Sequence, residues 1–158
     1  MITSGLIIGT VTFLVALGTF FIKPRPDLNW AKRLDRPNWL FFEPAIPFIW
    51  TLIFSCGAIS AVLIWDSDPG SLKTWLLMGL YLLVEIVTVA YIPVTLRTKS
   101  LTLGTILGGS GFILGVLLTL TAWPISTTAA LLLLPYVIWS PIGTYTTREM
   151  IDLNPDAA

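Results

Sequence analysis

The chain has 158 residues, 55 % of them hydrophobic and 11 % charged, with nine basic residues balancing nine acidic ones, and a mean hydropathy of +0.84. Soluble domains carry roughly 25 % charged residues, so this composition argues against a soluble protein, and zero net charge offers no basic surface to nucleic acid. Histidine is absent and Cys56 is the single cysteine, which removes Ser/His/Asp and Cys/His catalysis, the usual zinc and copper sites, histidine-ligated haem and any disulfide framework.

Taken in chain order, the apolar runs are Ile2 to Ile22, Pro44 to Trp65, Thr74 to Leu96, Leu101 to Trp123 and Ile125 to Thr147. Each is close to the ~20 residues that cross ~30 Å of hydrocarbon as a helix. The runs are continuously apolar and do not alternate with period two, which argues against a β-barrel. Residues 1–158 are therefore expected to form one membrane domain, an all-α bundle of five transmembrane helices. The first run has no basic n-region and is too long for a signal-peptide core, so it is read as a retained helix.

The first connector, Lys23 to Glu43, contains Lys23, Arg25, Lys32, Arg33 and Arg36; Arg97 and Lys99 fill the third, Arg148 lies in the tail, and only Lys73 sits on the opposite side. This asymmetry places the first connector and C-terminus in the cytoplasm and the N-terminus outside. The same basic residues would also meet anionic lipid. Trp30 and Trp39 share that connector with Pro24, Pro26 and Pro37. Exposed tryptophan is unfavourable there, so the segment is expected to fold over the bundle as a lid.

Trp65, Trp75 and Trp123 fall at span ends, where aromatic belts form, whereas Trp50 and Trp139 fall within spans and their indoles need partners. In the third run, Glu85 is an ionisable group at mid-membrane depth. It is expected to face the interior, either as a cavity acid or as a neutral acid bonded to a hydroxyl or to a carbonyl freed by Pro93. The fourth run contains Gly104, Gly108, Gly109, Gly111 and Gly115. These small residues suit close packing within the bundle or a homodimer or partner-protein interface. Pro93, Pro135 and Pro141 are expected to kink or loosen their helices and leave cavities. No internal repeat of transporter type is visible.

The run Arg36-Pro37-Asn38-Trp39, then Trp50-Thr51-Leu52-Ile53-Phe54 with Gly57 beyond, together with Pro135-Tyr136-Val137-Ile138-Trp139 and the terminal Leu153-Asn154, resembles the tryptophan-rich sensory protein family, also called the translocator protein or peripheral benzodiazepine receptor family. The resemblance covers essentially the whole chain. Departures from the pattern are Phe41 and Phe42 for a Pro-Pro pair, Glu85 and Thr88 for a third-span Asn and Trp, and Thr146 and Thr147 for a Leu-Asn pair.

The resemblance implies a helical bundle around a pocket that the first connector closes, binding a tetrapyrrole such as protoporphyrin IX with no required cofactor. Trp30, Trp39, Trp50, Phe54, Glu85, Tyr136 and Trp139 would line the ligand, and Lys32, Arg33 and Arg36 would meet its propionates. The implied role is reception or transport in tetrapyrrole or stress metabolism. Two other classes stay open: a photo-oxidative porphyrin-degrading enzyme with tryptophans as radical partners, and a non-catalytic assembly partner docked through the fourth-run glycines. A loose sterol pattern, Val87, Tyr91 and Arg97, is also present. The compact length and absence of a presequence point to a bacterial membrane.

Overall fold

A computed structural model describes residues 2–21 and 25–158, with the side chains of residues 19–21, 25 and 26 outside the description. The expectations for Lys23, Pro24 and the end of the first run at Ile22, and for the side chains of Arg25 and Pro26, lie outside the described residues. Everything regular among the described residues is helical: α1 Ile2–Phe21, α2 Arg25–Lys32, α3 Ile46–Ser67, α4 Leu72–Thr98, α5 Leu101–Ala122 and α6 Thr127–Leu153, with 3₁₀ turns at Glu43–Ala45 and Pro155–Ala157.

Among the described residues, four segments are long and apolar enough to cross a membrane: Glu43–Ser67, Leu72–Thr98, Leu101–Ala122 and Thr127–Leu153. A shorter apolar helix, Ile2–Gly18, accompanies them. Serines start three of these segments. Ser71, Ser100 and Ser126 each stand in extended backbone and accept a hydrogen bond from the N–H three residues on, at Thr74, Leu103 and Ala129. Such caps satisfy donors that a helix start otherwise leaves open.

The long helices form a closed ring in the order α1, α3, α6, α5, α4. Its tightest seam is between α5 and α6, where glycine replaces side-chain bulk. A β-carbon on Gly104 would lie 2.6 Å from Thr95 Oγ1, and one on Gly108 the same 2.6 Å from Thr144 Oγ1. On Gly111 it would lie 2.7 Å from the Tyr136 hydroxyl. Of the two uses open to these glycines, Gly104, Gly108, Gly111 and Gly115 serve close packing within the bundle, against α4 and α6 of the same chain. Gly109 alone among these five glycines has open space beside it.

Beyond the apolar run that ends at Thr147, α6 continues to the terminal Leu153-Asn154 pair, with Asn154 as its C-cap. Helix continues through the prolines: α4 runs through Pro93, and α6 through Pro135 and Pro141. Hydroxyls such as Thr88 Oγ1 on Val84 O, Thr95 Oγ1 on Tyr91 O and Thr144 Oγ1 on Ser140 O bond backward along these helices, the usual way polar side chains are accommodated in apolar surroundings.

A buried node ties three helices near the start of α6. Ser60 Oγ donates to Ala129 O at 2.7 Å and pairs with the Tyr81 hydroxyl at 2.6 Å, and Ser60, Ile64, Ala129 and Ala130 are fully buried. At the same end Trp65 and Trp75 meet edge to face across the α3–α4 turn, 4.9 Å between ring centroids. That geometry suits a span-end aromatic pair.

Candidate ligand pocket

The first connector is more ordered than a loop reading implies. Its opening segment forms α2, whose sequence begins Arg-Pro-Asp and ends in Lys32. Proline and an acid in the first turn and a base in the last are favourable helix signals that the proline-rich composition obscured. α2 packs against α4.

Beyond α2, the connector is bound to the far end of α6. Asn154 accepts from the Asp35 N–H at 2.8 Å and donates to the Asp35 carbonyl at 2.9 Å. Trp39 Nε1 donates to Glu149 Oε2 at 2.7 Å. Arg36 is committed within the segment, to Glu43 Oε1 at 2.9 Å and to the carbonyls of Leu34 and Ala31. The expected propionate contacts thus divide: Arg36 is a brace of the connector, whereas Lys32 and Arg33 are exposed.

The expected pocket aromatics form two groups. At the connector end Trp39 stacks on Tyr145 with centroids 6.1 Å apart, and Phe42 bridges Trp39, at 6.1 Å, to Trp139, at 6.0 Å. Trp39 and Tyr145 also line an open groove with Pro141 and Ile142. Deeper in the ring Trp50 contacts Phe54 at 5.9 Å and Tyr136 at 6.3 Å. Trp30 is half-buried on α2 and makes no ring contact with either group among the described residues.

Inside the ring is an apolar cavity of about 30 Å³ walled by Phe54, Tyr81, Glu85, Thr88, Leu133 and Tyr136, among others. It holds a group of one or two heavy atoms, far less than a tetrapyrrole. Tyr136 is the reason. Its ring lies against Gly115 and its hydroxyl reaches Thr88 Oγ1 at 2.9 Å, occupying space at the position where the family pattern has a larger third-span side chain.

Glu85 faces the interior as expected, and it is bonded to a hydroxyl: Thr12 Oγ1 of α1 donates to Glu85 Oε1 at 2.7 Å. No sequence signal linked Thr12 to it. Tyr91, part of the sterol pattern, points its hydroxyl at Thr147 of α6, and Val87 lies against Gly111. Both are therefore directed into the bundle.

The model of the TspO/MBR family matches residues 6–152. The chain belongs to the TspO/MBR family. It is similar to the tryptophan-rich protein TspO of Bacillus cereus, 27 % identical over 147 residues, covering 91 % of this chain and 95 % of that one. It is also similar to the uncharacterized membrane protein YtaB of Bacillus subtilis, 24 % identical over 155 residues and 97 % of both chains. Membership and four membrane-length apolar helices together make this TspO/MBR chain a multi-pass integral membrane protein with bacterial relatives.

Proposed function

We propose that the chain is a five-span membrane receptor or carrier for a tetrapyrrole such as protoporphyrin IX, taken up where the first connector meets α6. The observation that carries this reading is the aromatic surface of Trp39, Phe42, Trp139 and Tyr145 beside an open groove. A planar macrocycle stacks on such rings, each contact contributing about 0.5–1.5 kcal/mol beyond burial. Lys32 and Arg33 are exposed in the connector, Arg33 with its Nε donating to the Asn29 carbonyl at 3.2 Å, and would meet the propionates.

In this reading α1 is the fifth span. Its 20 residues reach about 30 Å at 1.5 Å per residue. The connector acts as the lid, held by Asn154 and Glu149, and the basic end of the bundle faces the cytoplasm.

Titration of the detergent-purified protein with protoporphyrin IX in the dark, following tryptophan quenching and the Soret band, tests this reading. Saturable binding at micromolar affinity that is lost on replacing Trp39 and Trp139 together with leucine is the expected result. Absence of saturable binding to the wild-type protein would remove the proposal.

A further inference from the structure

Glu85 is the one ionisable acid within the five apolar runs, and it stands in the wall of the internal cavity. Its Oε1 is satisfied by Thr12. Its Oε2 accepts no hydrogen bond among the described residues. The nearest basic residues along α4 are Lys73 and Arg97, each twelve positions away, or about 18 Å of helix. Neither side chain bridges that distance. An ionised Glu85 therefore finds no cation within the described bundle, and a charge at membrane depth demands one.

The rest of the wall supplies what an organic cation prefers. Phe54 and Tyr136 face the cavity with Trp50 against both, and aromatic faces attract ammonium groups most strongly where water is excluded. The void of about 30 Å³ has the size of an ammonium head. A carboxylate-bearing head would meet a like charge instead.

We propose that Glu85 and the cavity beside it form a binding site for the protonated nitrogen of a small hydrophobic amine, the carboxylate serving as counter-ion and Phe54 and Tyr136 as apolar walls. The body of the amine enters when Tyr136 swings away from Gly115 and gives up its hydrogen bond to Thr88. The site lies inside the ring and is separate from the Trp39–Tyr145 surface, so it goes beyond the tetrapyrrole reading and does not rest on it.

Calorimetric titration of the detergent-purified full chain with benzylamine and with benzyl alcohol, which share a body and differ in the charged head, tests the site. The expected result is saturable amine binding at least ~10-fold tighter than alcohol binding, a ratio that falls toward one in Glu85→Gln and is partly kept in Glu85→Asp. Equal affinity for amine and alcohol in the wild-type protein would overturn the proposal without recourse to any variant. So would unchanged amine affinity in a Glu85→Gln protein whose thermal unfolding matches wild type. Loss of porphyrin binding with amine binding intact would strike the tetrapyrrole reading alone.

Discussion

The ring of Tyr136 lies against Gly115 more closely than any β-carbon at that position would permit. This contact closes the interior, sets the cavity volume and joins α5 to α6. Gly115→Ala should therefore force Tyr136 off its site and destabilise the protein by about 1–3 kcal/mol, the range for overpacking. Gly109→Ala, with open space beside it, should be neutral or slightly stabilising through helix propensity. Thermal unfolding of both variants in the same detergent separates them, and equal melting would show that the α5–α6 seam is looser than its geometry.

The hydroxyl of Ser60 has one proton, and it goes to Ala129 O, so Tyr81 is the donor in the Ser60–Tyr81 pair. Ser60→Ala strands the buried Tyr81 hydroxyl and should cost about 1–3 kcal/mol, whereas Tyr81→Phe leaves Ser60 bonded to Ala129 and should cost about 0.5–1.5 kcal/mol. The double variant should cost less than the sum, since the stranded hydroxyl is gone. Chemical unfolding of the four proteins measures the cycle; strict additivity would contradict the shared bond.

Much of this architecture is legible from one-dimensional pattern, and the boundary is physical. Apolar runs long enough to cross hydrocarbon locate the long helices within a few residues, because backbone satisfaction in that environment leaves few alternatives. Partners such as Thr12 for Glu85 or Glu149 for Trp39 are separated by 73 and 110 positions, and no local periodicity encodes which helices become neighbours. The glycines of α5 show the same limit. Their spacing announces a close helix contact, while only the ring order reveals that α4 and α6 provide it. The aromatic residues of the candidate site were recognisable by type, but their separation into a connector group and an interior group depends on which helices become neighbours.

The Trp39–Glu149 hydrogen bond and the Asp35–Asn154 pair are the described polar ties between the connector and the end of α6. Trp39→Phe keeps an aromatic ring beside Tyr145 but removes the donor to a carboxylate, a bond of about 1.5–3 kcal/mol. Hydrogen exchange across residues 33–45 should then rise by one to two orders of magnitude in rate, with the interior of α4 and α5 unaffected. If exchange there is unchanged, the connector is held by packing of Phe42 on Trp139 and its position does not depend on this bond.

Hydrogen bonds from Ser4 to Asp66 and from Thr12 to Glu85 tie α1 to the rest of the ring. Thr12 is buried and is the donor. Replacing it with valine preserves shape and branching but leaves Glu85 Oε1 without its partner, so Thr12→Val should destabilise by about 1–3 kcal/mol. Glu85→Gln should cost less, because the amide oxygen still accepts from Thr12. The order follows from which atom donates, and both proteins contain the same helices and nearly the same volume. Thermal unfolding with hydrogen exchange along α1 reads it directly. A larger loss in Glu85→Gln than in Thr12→Val would mean that the charge of Glu85, and not its acceptor oxygen, holds α1 in place.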